Sequence, residues 1–199
     1  MRSFLFVIYL IISNILAESP STINDVKLKT IEDFLSSMST LEADMTMEID
    51  SGNKDMPVEC HEGKIWLDRE NGLLRINYGK NSMIARNGSL VVRQENASPQ
   101  EFATDDTPAG ILLRQKIDFK NEGVAVKSLI HTQDLWQLSL SYDSPAGSIP
   151  VTLYFKPKPV MLLVGWTIKN PDGSTTNVHL NLEEMHMAIK INSSVFKLD

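Results

Sequence analysis

The sequence carries one cysteine, Cys60, in 199 residues. No disulfide can therefore form within the chain, and the domain must rely on its own core. A lone thiol is more often a small buried hydrophobe than a nucleophile. Basic charge is also scarce: 19 Lys and Arg stand against 25 Asp and Glu, a net charge of -6. A general nucleic-acid binder needs a basic face, and the average charge argues against one. The same average is poor for adhesion to an anionic membrane surface. No Ser elbow, phosphate loop or Cys-x-x-Cys pair is present, so the common nucleophilic, nucleotide and redox chemistries have no motif to start from. The 42% hydrophobic and 22% charged content excludes a disordered or fibrous chain. The length suits one domain with a sizeable core.

Long apolar runs are absent except at the N-terminus. Arg2 precedes an apolar stretch from Phe4 to Leu16, interrupted by Ser13 and Asn14, and Ala17 then leads into Glu18-Ser19-Pro20-Ser21. A positive start, about a dozen apolar residues and a small residue read as a secretory signal peptide. Cleavage is expected after Ala17, giving a signal peptide over 1-17 and a domain over 18-199. Ile15 at the minus-three position is not the preferred small residue, so the site can shift. The run is short for a spanning helix, which needs about twenty apolar residues. No cysteine follows it, so the chain is not itself N-terminally lipidated there.

Thr22 to Ser39 has helical spacing, with Ile23, Val26, Ile31, Phe34, Leu35 and Met38 on one stripe and Asn24, Asp25, Lys29, Glu32 and Asp33 largely off it. Ser21 or Thr22 is the expected cap. The period then changes to two. Leu41 to Ile49 alternates apolar with acidic or polar residues, the pattern of a strand with one wet face. Further strands are expected at Val58 to Leu67, Leu73 to Tyr78, Ser82 to Arg86 and Ser89 to Arg93, the last two joined by Asn87-Gly88, a strong hairpin signal. Asn96 to Asp106 reads as a polar loop. Thr107 to Gln115 reads as a short helix, with Thr107 at the cap and Pro108 in the first turn. Strands follow at Val124 to Ile130, Trp136 to Tyr142, Ser148 to Phe155, Met161 to Asn170 and Thr175 to Leu182, with Met187, Ile189 and Ile191 apolar at period two. Many short strands with turns between them mean an antiparallel sheet or barrel in a mainly β, α+β domain.

Two apolar helical segments interrupting such a chain have a physical use. A curved sheet has an apolar concave face that must be covered. A permanent cover makes a core; a movable one makes a pocket for an apolar ligand. Periodicity alone favours the core. The nine methionines, Met38, Met45 and Met47 among them, suit a surface that adapts to varied apolar partners but suit a core as well. Glu59-Cys60-His61-Glu62 resembles a metal or nucleophile cluster only on paper. On a strand Glu59 and His61 point one way and Cys60 and Glu62 the other, so no metal site and no catalytic residue is expected.

Glu62 to Arg69 followed by Gly72-Leu73-Leu74-Arg75-Ile76-Asn77-Tyr78 resembles the outer-membrane lipoprotein carrier family, LolA of the Lol pathway. That family shows a strand ending Trp-Leu-x-Arg-Pro-Gly and then Leu-Arg-aromatic-Glu-Tyr. Here Glu70 replaces the Pro, the loop is one residue longer, and Ile76 replaces an aromatic. Ala85 to Leu90, Thr107 to Leu113, the segment from Gly165 to Thr176 and Phe196 match further family pieces in order, over roughly residues 22 to 199. The resemblance implies an unclosed antiparallel β-barrel with an α-helical lid over an apolar cavity. It implies a periplasmic chaperone, not an enzyme, that binds the acyl chains of lipoproteins released from the inner membrane and carries them to the outer membrane. The implied partners are acylated lipoproteins, an inner-membrane transporter of the ATP-binding-cassette type and an outer-membrane receptor or the membrane itself, with no cofactor and a monomeric chain. A lipoprotein-binding sensor or scaffold on the same half-barrel is the alternative.

The residues implied for the cavity are Met45, Met47, Ile65, Leu67, Leu74, Ile76 and Met83 on strands, with Phe34, Ile111 and Leu112 on the lid. Arg69 matches the family's lid-holding Arg and is expected to latch the segment around Ile111, since its fork can satisfy several carbonyls. Burying acyl chain is worth about 0.8 kcal/mol per CH₂, so affinity needs no polar chemistry.

Overall fold

A computed structural model describes residues 25-120, 123-145 and 147-197. The expected signal peptide and the Ser21 or Thr22 cap lie outside the described residues. The chain begins with α1 (Asp25–Ser37). Its buried side chains are Leu28, Ile31, Glu32 and Leu35, the i, i+3, i+4, i+7 series of one helix face. This differs from the expected stripe. Val26 is exposed, and Glu32, expected on the wet side, is buried, because the face centred on Ile31 and Leu35 takes Leu28 and Glu32 with it.

Five strands follow: β1 (Thr40–Asp50), β2 (Glu59–Asp68), β3 (Leu73–Tyr78), β4 (Asn81–Arg86) and β5 (Ser89–Arg93). In β1 Leu41, Ala43, Met45 and Met47 are buried and the intervening acidic and polar residues are not. The β4–β5 turn places Asn87 at φ 54° and Gly88 at φ 79°, the left-handed pair that a tight hairpin requires. β6 (Gln100–Ala103) pairs with β5, where a loop was expected. All four of its residues are exposed, so no apolar alternation marks it; main-chain hydrogen bonds to β5 alone make it a strand.

A 3-10 turn (Thr104–Asp106) and α2 (Ala109–Leu113) lead away from β6. β7 (Val124–His131), β8 (Trp136–Ser144), β9 (Gly147–Lys156), β10 (Leu162–Lys169), β11 (Thr175–Leu180) and the short β12 (His186–Met187) complete the chain. β12 stops early: Ala188 has φ 56°, and the backbone of Ile189 is instead bonded to the Thr40 hydroxyl through both its N–H and its C=O at 2.9 Å.

The strand order is β6-β5-β4-β3-β2-β1-β11-β10-β9-β8-β7, with β12 beside β1. Every pairing is antiparallel. β6 and β7 end the order and do not pair with each other, so the barrel is unclosed. The segment from Thr104 to Gly123 carries the chain from one free edge to the other. Two glycines sit where strands come closest. A Cβ on Gly63 would lie 2.2 Å from the Asn77 carbonyl oxygen, and one on Gly165 would lie 2.1 Å from that of Val178. Gly165 also falls at a register shift between β9 and β10, the kind of irregularity that bends a sheet.

Candidate functional site

The sheet curls enough for distant strands to share one hollow. Leu90 on β5 and Leu153 on β9 line the same cavity, although six strands lie between them in the order. The cavity holds about 180 Å³, below the roughly 300–1,000 Å³ of ligand pockets that enclose a drug-sized molecule. Its wall is apolar apart from Thr107, Asn170 and Thr176. Asn170 and Thr176 are already engaged with each other at 3.2 Å, and Asn170 also donates to the Ser174 hydroxyl at 3.0 Å. The hollow thus offers its occupant dispersion contacts and little hydrogen bonding.

Met47, Leu74, Ile76, Met83, Ile111 and Leu112, each expected at the cavity from the sequence, all line it. Met45, Ile65 and Leu67 do not; they share the same sheet face but are buried in the packed core, 3%, 0% and 0% exposed. Phe34 is also off the cavity and meets Phe155 edge-to-face at a centroid distance of 6.1 Å. The sequence reading missed Leu90 on the near wall and the whole opposite wall, Val151, Leu153, Trp166, Ile168 and Val178. The signal was there in β9, where Ile149, Val151, Leu153 and Phe155 are buried at period two. Which strands would face each other across the hollow depends on closure, which periodicity does not reveal.

The cover over this cavity is α2 and the turn before it. Thr107 is not its cap: the helix starts one residue later, with Pro108 at the capping position and no side-chain capping bond. The Thr107 hydroxyl donates instead to the Thr104 carbonyl at 2.9 Å. From β8, the Tyr142 hydroxyl donates to the Asp105 carbonyl. Burial pushes the Tyr142 and Tyr78 hydroxyls above the ordinary tyrosine pKa, so Tyr142 remains a donor at neutral pH. Beyond α2 the chain is strapped to α1. Ile117 N–H donates to the Ser36 hydroxyl at 3.1 Å, Phe119 N–H to the Glu32 carboxylate at 3.0 Å, and the Lys120 ammonium to Asp25 at 3.0 Å.

Arg69 does not latch the segment around Ile111. Its backbone N–H bonds the Ser39 carbonyl at 2.9 Å and its Nη1 reaches the Met38 carbonyl at 3.4 Å. The reason is register. Asp68 pairs with Thr40, so the residue after β2 meets the junction between α1 and β1, and the Arg holds the end of the long helix. Its Nε and Nη2 find no hydrogen-bond partner among the described residues, and burial lowers its pKa to about 10.

Cys60 is exposed. His61 contacts Glu59 at 3.3 Å and packs on the Tyr78 ring at 5.8 Å. Among the described residues no group of three or more His, Cys, Asp or Glu converges on a metal position.

No family model and no curated protein matches the chain. Solved structures do. A LolA superfamily protein from Nitrosomonas europaea is 7% identical, with a TM-score of 0.48 over 85% of this chain and 97% of that one. A domain from Vibrio parahaemolyticus assigned to outer membrane lipoprotein sorting is 6% identical, with a TM-score of 0.48 over 86% of this chain and 95% of that one. The lipoprotein LppX of Mycobacterium tuberculosis is 10% identical, with a TM-score of 0.40 over 84% and 96%.

Proposed function

We propose that the protein is a periplasmic carrier that shields the acyl chains of lipoproteins between the inner and the outer membrane. The observation that carries this reading is an almost wholly apolar hollow beneath a helix of five residues, Ala109–Leu113. A packed core leaves few voids larger than a water molecule. Empty space of about 180 Å³ under so short a cover is what a ligand site looks like with its lid down. An acyl chain gains about 0.8 kcal/mol per buried CH₂, and it can do so here only if α2 moves outward to enlarge the hollow. In this reading cargo arrives from an inner-membrane transporter of the ATP-binding-cassette type. It leaves for an outer-membrane receptor or the membrane itself, wherever an apolar site of higher affinity accepts it. The apolar N-terminal stretch serves as the export signal, removed after Ala17, and the carrier acts as a monomer without cofactor or catalytic residue.

Native mass spectrometry of the exported protein, co-expressed with a triacylated lipoprotein, tests this. A one-to-one complex that is lost when the cargo's acylated cysteine is replaced by serine supports acyl capture. Binding that survives that replacement would mean the cargo's protein part is recognised and the hollow is not the site.

A further inference from the structure

The average charge hides a local exception. Among the described residues seven large apolar side chains are exposed; Ile130, Leu135 and Val160 stand at one rim of the sheet, and Val26 lies at the start of α1. Two hairpin ends build that rim. The turn between β7 and β8 carries Leu135, and Trp136 beside it pairs with His131 of β7 and Phe155 of β9. The loop after β9 carries Val160, between the paired residues Lys156 and Leu162. The start of α1 joins them: Lys27, next to Val26, places its ammonium 5.4 Å from the centre of the Trp136 ring. Lys156 and Lys158 are exposed on the second loop. Against these three lysines the rim sets Asp134, and Asp25 is paired with Lys120 at 3.0 Å.

We propose that this rim touches an anionic lipid bilayer. Exposed apolar side chains gathered in one place mark an interaction surface. A lysine over an aromatic ring, two further exposed lysines and short aliphatic tips fit headgroups above and acyl chains below better than they fit another folded protein. Juxtamembrane lysines are drawn to anionic headgroups within a Debye length, and the apolar tips are few enough for contact to be brief. The rim is separate from the cavity wall around Asn170 and Thr176, which stands at the other end of β10. The inference therefore goes beyond the acyl-carrier reading and does not need it.

Flotation of the chain from Glu18 onward, which keeps every described residue, is the test. The vesicles are phosphatidylethanolamine with a quarter phosphatidylglycerol, compared with phosphatidylcholine alone. The chain floats with the anionic vesicles only, and less as salt shortens the Debye length to about 3 Å at 1 M. Lys156→Glu with Lys158→Glu, and separately Leu135→Ser with Val160→Ser, each lower the bound fraction about tenfold. All four positions are exposed, so circular dichroism and the unfolding midpoint remain as in the parent. No flotation of the parent chain with anionic vesicles, or double variants that float as well as the parent, overturns the proposal. Binding of a soluble fluorescent acyl probe, measured on the same variants, stays unchanged, so a failed carrier reading is distinguished from a failed rim.

Discussion

Two helices lie over the same apolar face, and they are held in different ways. α1 is 13 residues long and buries Leu28, Ile31 and Leu35 almost completely, each worth about 1.5–3 kcal/mol. Its end is tied to β2 through Arg69, and its buried Glu32 accepts a backbone N–H of the following strap. α2 has five residues, no side-chain cap and a cavity beneath it. The turn leading into it is held to the sheet by the Tyr142 hydroxyl and by the Thr104 N–H, which donates to the Gly88 carbonyl at 2.8 Å. A helix this short is marginal without packing, and its Ile111 and Leu112 line the cavity. The contrast separates a cover that belongs to the core from one able to move.

The largest difference should appear in the core-facing leucines. Leu35→Ala on α1, at 0% exposure, should cost about 3 kcal/mol in urea unfolding. Leu112→Ala on α2, at 8% exposure and on the cavity wall, should cost about 1 kcal/mol. It already lacks neighbours on one side and leaves less to lose. Equal costs would mean that α2 is packed like α1 and is no lid. Next comes Glu32→Ala, which strands the buried Phe119 N–H and should cost about 2 kcal/mol. Hydrogen exchange at Phe119 should accelerate with it, while exchange at residues 109–113 should change little if the strap and the lid move separately.

The fold was legible wherever a side-chain pattern produced it. Alternation in β1 defines a strand with one buried face, and the Asn87-Gly88 turn defines a hairpin, without help from tertiary structure. β6 was not legible, because its backbone pairing leaves no trace in four exposed side chains. For the cavity, the wall formed by β3 and β4 was readable from Leu74, Ile76 and Met83, and the lid from Ile111 and Leu112. The facing wall on β9 and β10 was not, since alternation names a buried face but not the strand it looks at. Glu32 shows the same limit: a lone carboxylate within a helical stripe is read as solvated until a partner N–H is found for it. Net charge has the same limit: it sums over the whole surface and does not show that Lys27, Lys156 and Lys158 stand at one rim.

Tyr142→Phe removes the hydroxyl that holds the turn before α2. It should cost about 1 kcal/mol and speed the release of a fluorescent acyl probe, with exchange at residues 104–113 rising in step. The tyrosine also sets a pH dependence. Its folded pKa lies above the unfolded value of about 10, so above that pH the unfolded chain loses the proton first. Fewer protons on the unfolded state mean that stability falls as pH rises, and the Phe variant should lose that part of the slope.

The smallest effect is expected where the sequence resemblance placed the latch. Arg69→Met exchanges a buried guanidinium, with one long hydrogen bond and two unpartnered nitrogens, for an apolar chain of similar length. Removing a charge that burial already disfavours offsets the lost bond to Met38, so stability should change by less than about 1 kcal/mol. Because Arg69 grips the end of α1 rather than α2, probe release from Arg69→Met should stay near the parent rate while Tyr142→Phe accelerates it. Stopped-flow release measured on both variants decides which residue gates the hollow. If Arg69→Met is the faster of the two, the movable cover is α1, and the comparison between the helices must be reversed.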